Sequence, residues 1–324
     1  MIGVLGAGAW GTALAQVAAA DGREVRLWAR ELEVVASINE AHENHLFLPG
    51  VPLAPSIRAS DDLAWVAEAD PLLVVTPSQH MRSVLSGLDA RQRQLILCCK
   101  GIEAGTMQLM HEVAHETCPS ATIAVLSGPT FAHEVAKGLP TAITLACADA
   151  GIGRKLAALI ARPAFRPYLA TDVVGAEIGG AVKNVLAIAC GVVEGRGLGQ
   201  NARASMISRG FAEMTRFGLA RGAHAETLAG LSGLGDLVLT CSSTSSRNFS
   251  LGVGLGQGRA AADLLADRRT VAEGAFTAPV LRAAAAAAGV DMPIAQAVCA
   301  LLEGEATAEQ MIDALLARPL RAEW

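Results

Sequence analysis

Gly6-x-Gly8-x-x-Gly11 follows an apolar strand that begins almost at the first residue. It opens an alanine-rich helix, residues 12–20, which stops at Asp21-Gly22. Each glycine has a separate duty. The first permits a tight turn, the second lets backbone approach a pyrophosphate, and the third lets helix pack on strand. Unpaired N–H groups and the dipole at the start of that helix attract phosphate. With 33 glycines in 324 residues, the pattern alone carries little weight. Its context carries more, because a second apolar strand, residues 24–28, follows the helix. The stretch therefore predicts dinucleotide binding rather than a bare glycine turn.

At the end of the second strand, an acidic residue would hold the ribose 2′-hydroxyl of NAD; this chain has Arg30-Glu31 there. The guanidinium suits the 2′-phosphate of NADP, so NADP(H) is favoured, while Glu31 keeps NAD(H) open.

The length suggests two domains. Hydrophobic residues make up 52% and aromatics 4%, so the cores must be built from Ala, Leu and Val. A net charge of −5, with no cluster of Lys and Arg, offers no field for nucleic acid. Seven cysteines without a C-x-x-C spacing read as thiols in a reducing compartment. No signal peptide is expected, since the first strand begins almost at residue 1, and no uncharged apolar run reaches the roughly 18–20 residues of a membrane span. A cytoplasmic location is expected.

Up to about residue 170, short strands alternate with helices. Strands are predicted near 57–59, 72–76, 94–99, 122–126, 141–146 and 165–170, and helices over 31–41, 61–69, 107–116, 131–136 and 153–161. Such alternation indicates a largely parallel sheet covered on both faces. Ligands gather beyond the carboxyl ends of such strands, where Gly6, Gly8, Arg30, Pro77-Ser78, Lys100 and Ser127-Gly128 fall. Past Asp172 the β-alternation disappears. Helices are predicted over 173–194, 203–219, 277–288, 293–302 and 307–316, the last with the capping-box pattern Thr307-x-x-Gln310. The glycine-rich stretch 251–258 reads as a loop. The expected architecture is an α/β dinucleotide-binding domain over 1–170 and an all-helical domain over 171–324.

Lys183 is the most telling residue of the second half. It shares a stripe of small residues with Ala176, Gly180, Ala187 and Gly191, three or four apart on one helix face. A cation there implies either close helix packing or a space for a ligand, and desolvation would lower its pKa toward neutrality. Asp236 stands on the glycine-rich turn 230–237, where it is a reactive carboxylate or an Asx-type cap. The hydroxyl-rich stretch 241–248 ends in Ser246-Arg247-Asn248, all able to donate to a phosphate, and is otherwise a surface loop. His111-Glu112-Val113-Ala114-His115 matches the H-E-x-x-H zinc pattern. It lies on a helix between strands, away from the inferred cleft and without a third ligand, so no metal is expected.

Together these pieces resemble the bacterial type of NAD(P)-dependent glycerol-3-phosphate dehydrogenase along the whole chain. The resemblance is carried by the stretch from Gly6 to Ala15, Phe47-Leu-Pro-Gly50, Lys100-Gly-Ile-Glu103 and Ser127-Gly-Pro-Thr-Phe-Ala132. It continues in Glu134-Val-Ala136, Pro140-Thr-Ala142, Val182-Lys-Asn-Val185, Gly233-Leu-Gly-Asp236, Ser246-Arg-Asn248 and Val271-Ala-Glu-Gly274. It implies a Rossmann-type domain joined to a helical domain like that of 6-phosphogluconate dehydrogenase. It also implies a homodimer and reversible reduction of dihydroxyacetone phosphate to sn-glycerol 3-phosphate, which supplies the backbone of glycerophospholipids. By that resemblance Lys183 is the general acid/base, with Lys100 and Asp236 contacting substrate and assisting it. Gly128, Thr130, Ser246, Arg247 and Asn248 are further substrate contacts. Gly6, Gly8, Ala9, Trp10, Gly11, Arg30, Lys100, Ala132, Arg247, Val271 and Glu273 are cofactor positions. Ala9 stands where a serine is common, and Ser205-Met206 where the family is more Ala/Leu-like. Two other readings remain: a sibling dehydrogenase acting on another phosphorylated ketone or a β-hydroxy acid, and a nucleotide-binding regulator without turnover. The second would not need a phosphate-gripping stretch in the helical half.

Overall fold

Four consecutive buried residues, Ile2–Leu5, form the central strand β1, and the rest of the sheet is laid out on either side of it. In the computed structural model, which describes residues 1–89, 92–266 and 272–319, the chain runs β1, α1 (Ala9–Ala19), β2 (Val25–Trp28), α2 (Leu32–Ala41), β3 (Ile57–Ser60), α3 (Leu63–Ala67), β4 (Leu72–Val74) and α4 (Ser78–Ser86). It continues through β5 (Gln94–Leu97), α5 (Met110–Thr117), β6 (Thr122–Ser127), α6 (Ala132–Ala136), β7 (Thr141–Cys147), α7 (Ala150–Ile160) and β8 (Phe165–Ala170). These strands make one eight-stranded sheet in the order β3-β2-β1-β4-β5-β6-β7-β8. Every pairing is parallel except β6 with β7. Strands buried on both faces read as unbroken apolar runs, which is why β1 and β4 are legible as they stand. The chain leaves β1 toward β2 on one side and returns to β4 on the other. Such a reversal opens a crevice at the carboxyl ends, where α/β sheets of this kind hold ligands.

Past β8 everything described is helical: α8 (Val173–Gly195), α9 (Gly199–Ala220), α10 (Ala225–Ala229), a π-helical turn over Leu231–Gly235, α11 (Asp236–Thr240), α12 (Arg247–Gly256), α13 (Ala261–Leu265), α14 (Glu273–Ala287), α15 (Pro293–Leu302) and α16 (Ala308–Leu316). The predicted capping box on the last of these is present, Thr307 and Gln310 exchanging side-chain and backbone bonds. Helix α8 is largely apolar and buried on all sides because it is the axis of this half, packed against α9, α11, α12, α14 and α15. By length and composition it is long enough to cross a membrane, yet 89% of its most apolar window is buried inside the protein. The apolar core around α8 also takes in Ile102 and Leu109 from the segment between β5 and α5. The two halves are thus keyed together through the residues that follow Lys100.

The glycine-rich stretch read as a loop is helix α12. Glycine weakens a lone helix by about 1 kcal/mol, but here its missing Cβ lets α12 press onto α8. A Cβ on Gly252 would run into the Ile188 carbonyl oxygen, one on Gly191 into that of Phe249, and one on Gly195 into that of Val253. The turn expected to carry Asp236 is also helical. It is a π-helical turn seated on α8, where a Cβ on Gly179 would strike the Ser232 carbonyl, and Asp236 begins the helix that follows. Likewise Ser246-Arg247-Asn248 is not the end of a loop: Ser246 caps α12 by accepting the Phe249 N–H at 3.2 Å, and Arg247 and Asn248 form its first turn.

Candidate functional site

The glycine turn has the shape a pyrophosphate needs. Gly6 adopts φ +116°, which side-chain-bearing residues rarely tolerate, and a Cβ on Gly11 would collide with the Gly6 carbonyl. At Gly8 a Cβ would meet no atom within 4 Å, so the backbone there fronts open space. Helix α1 starts at that point with no side-chain cap and no acid in its first turn, leaving its N–H groups for an anion. Ala9 and Trp10, both half-buried, form its first turn. Arg30, at the end of β2, is 80% exposed and rests 3.1 Å from Glu31. Ala132 opens α6, which packs against α1. Val271 lies outside the described residues.

At the start of α11, one carboxylate holds two ammonium groups. Asp236 is fully buried at the start of α11, with Oδ1 2.5 Å from Lys183 Nζ and Oδ2 2.7 Å from Lys100 Nζ. Lys183 Nζ also donates to Thr240 Oγ1 at 2.9 Å, and Lys100 Nζ to the Gly128 carbonyl at 3.2 Å. The carrier of Lys183 is α8, and Lys100 follows β5 on the sheet side. Gly180, one turn before Lys183, lets them approach: a Cβ there would meet the Lys100 stem at 3.2 Å and Ser127 Oγ at 2.9 Å. Only 6% of Lys183 is exposed, so it does not snorkel to solvent. Burial lowers its pKa to about 8, Asp236 pulling it up and Lys100 further down.

Glu273, the first residue of α14, completes the electrostatics. Burial pushes its carboxyl above the usual range, against the opposing pull of Arg247, Lys100 and Lys183 in that order. All three cations therefore act on one acid. Arg247 is exposed at the first position of α12, beside Ser246. Asn248 is more committed than its expected phosphate role requires. Its Nδ2 donates to Asn184 Oδ1 at 3.0 Å and its Oδ1 accepts the Gly274 N–H at 2.9 Å, which ties α12, α8 and α14 together. One amide hydrogen remains for a ligand. Thr130 donates to the Gly128 carbonyl at 3.3 Å.

Two neighbours escaped the sequence reading. Thr240 lies four residues after Asp236, so both fall on one helical face, and that spacing was the available signal. Asn184 follows Lys183 directly, but nothing local marks it as the partner of Asn248. The H-E-x-x-H residues are committed elsewhere: His111 bonds Glu177, while Glu112 accepts the Leu109 N–H and pairs with Arg221. Among the described residues no group of three or more His, Cys, Asp or Glu is placed to hold a metal ion.

The chain is similar to known proteins over nearly its whole length. The model of the NAD-dependent glycerol-3-phosphate dehydrogenase N-terminus matches residues 1–152, and that of the C-terminus matches residues 172–313. A glycerol-3-phosphate dehydrogenase (NAD(P)+) of Erythrobacter litoralis is 66% identical over 99% of this chain and 97% of its own length. One from Sphingopyxis alaskensis is 63% identical over the same shares. The crystal structure of glycerol-3-phosphate dehydrogenase from Coxiella burnetii is 37% identical, with a TM-score of 0.93 over 98% of both chains. D-mandelate dehydrogenase with NADH, at 14% identity and a TM-score of 0.63, shares the fold alone. On these matches, this chain belongs to the NAD-dependent glycerol-3-phosphate dehydrogenase family.

Proposed function

We propose that this protein reversibly reduces dihydroxyacetone phosphate to sn-glycerol 3-phosphate with NAD(P)H, acting in the cytoplasm as a homodimer. The observation that carries the reading is the buried bridge Lys183–Asp236–Lys100, with Lys100 past the carboxyl end of β5, in a sheet whose parallel strand β1 ends in a glycine turn open at Gly8. In this reading residues 1–170 hold the cofactor, and residues 171–324 supply the acid/base group and the phosphate grip.

The nicotinamide supplies or accepts the hydride when bound. The protein's part is charge and position. As the C2 carbonyl of the substrate gains negative charge, Lys183 as an ammonium polarises the oxygen and delivers its proton there, with Lys100 adding positive potential. In the opposite direction, Lys183 as the free amine removes the proton from the C2 hydroxyl. Asp236 keeps both amines in place, and Thr240 fixes the direction of the Lys183 head. At the first turn of α12, Arg247, Ser246 and the spare Asn248 hydrogen take the phosphate, where a guanidinium and a helix N-terminus reinforce each other. Gly128 and Thr130 border the substrate from the sheet side. Gly6, Gly8, Gly11, Ala9 and Trp10 receive the pyrophosphate, Ala132 and Glu273 border the cofactor, and Arg30 receives a 2′-phosphate, favouring NADP(H).

Loss of the reduced-nicotinamide absorbance on adding dihydroxyacetone phosphate tests the reading. Turnover is expected with this ketone and not with unphosphorylated dihydroxyacetone. Equal rates with both, or none with either, would overturn it.

A further inference from the structure

The H-E-x-x-H helix has a use that its zinc resemblance obscures. On α5, His111 grips one side chain of α8 twice: its backbone N–H donates to Glu177 Oε1 at 2.8 Å, and its Nδ1 meets Glu177 Oε2 at 2.6 Å. Both oxygens of a carboxylate that is 2% exposed are thus taken by a single residue across the seam between sheet and helices. A buried ionic contact of this kind adds little to stability over an apolar pair. What it provides is direction, because two short bonds to one carboxylate define both separation and orientation.

Each end of that contact leads to a reactive lysine. Glu177 stands less than two turns before Lys183 on the same rigid helix. From His111 the path runs through Leu109, which bridges Ile102, two residues after Lys100. The intervening segment is stiff: Glu103 bonds the Gln108 carbonyl at 2.9 Å, and Arg82 clamps Glu103 and Glu116 at 2.8 Å each. The carriers of Lys100 and Lys183 are therefore fixed to each other at a point outside the lysine–aspartate cluster. We propose that His111, acting through Glu177, is a positioning residue that sets the separation of Lys100 and Lys183.

The charges facing His111 fit a fixed contact. Glu177 approaches from α8, Glu112 from α5 itself and Arg221 from α9, while the His115 ring stands edge-on at 6.2 Å. Burial lowers the imidazole pKa, but Glu177 outweighs it and leaves His111 above its ordinary value.

The inference rests on the proposed chemistry, so its test includes a readout that needs no turnover. Replacing His111 with leucine removes the Nδ1 bond, whereas asparagine presents an amide nitrogen at the same position. In His111→Leu, kcat is expected to fall roughly tenfold or more from misplaced groups, with KM for NADPH unchanged. The Lys183 titration midpoint, followed by NMR on lysine-labelled protein, is expected to rise toward an ordinary lysine. Both should return in His111→Asn. Glu177→Gln, which keeps the shape, gives a second route should leucine prevent folding, with the same midpoint moving upward. A lowered Tm with kcat and midpoint at wild-type values would reduce the pair to structural support and overturn the inference. An inactive wild type whose midpoint still responds to His111 would count against the proposed reaction, not against the positioning role.

Discussion

Asp236 and Lys183, 53 residues apart in sequence, meet at 2.5 Å inside the protein. Burial turns an ordinary lysine into a group that exchanges its proton near neutral pH, and the contact with Asp236 works against that shift. Desolvation disfavours its charged form, Asp236 favours it and Lys100 opposes it, and the net pKa is about 8.

The first expectation concerns pH. The reductive direction needs Lys183 protonated, so its kcat should fall as pH rises through about 8, while the oxidative direction should gain over the same range. Because the Lys100 charge pushes the Lys183 value down, Lys100→Met should move the midpoint upward in both directions. Rate profiles measured both ways decide it, and a midpoint that stays put in Lys100→Met would contradict the assignment.

Removing the amine itself separates chemistry from binding. Lys183→Ala should lower kcat by roughly three decades, the scale of general acid catalysis or of charge stabilisation taken singly. NADPH affinity, read by fluorescence titration, should survive. Near-normal turnover would take Lys183 out of the mechanism.

For Arg247, exposed at the head of α12, the loss should appear in substrate binding. A charge-assisted hydrogen bond worth about 1.5–3 kcal/mol corresponds to a KM for the phosphorylated ketone raised roughly 10- to 100-fold in Arg247→Ala. An unchanged KM would mean the phosphate is held elsewhere.

The proposed preference for NADP(H) rests on Arg30, which pairs with Glu31 at 3.1 Å in the free protein. Arg30→Ala should reduce kcat/KM for NADPH and leave that for NADH almost unaltered. Equal values for both cofactors, untouched by the substitution, would remove Arg30 from recognition.

The glycines divide into two kinds that one experiment can tell apart. Gly252→Ala forces a methyl against the α8 backbone and should cost about 1–3 kcal/mol or more, seen as a lower urea midpoint. Gly8→Ala meets open space in the protein and should keep the midpoint while weakening dinucleotide binding.

Much of this was legible along the chain because its causes are local. A glycine turn between strand and helix, an alternation of apolar runs, and a capping pair three residues apart depend on neighbours in sequence. Segment 251–258 was misread for the opposite reason. Its glycines disfavour an isolated helix, and only the facing glycines of α8 turn that defect into close packing. At Asn248 the residue type suggested a phosphate ligand but could not show that its bonds to Asn184 and Gly274 also tie three helices together.

The sequence by itself determined the sheet, the dinucleotide turn and the list of reactive side chains, since each is encoded by short-range pattern and residue chemistry. Tertiary structure alone decided that Lys183 and Lys100 share one carboxylate, that Thr240 and Glu273 join their field, and that His111 grips Glu177. Those outcomes depend on burial and on distances between groups remote in the chain, and a pKa responds to such surroundings rather than to the identity of the residue.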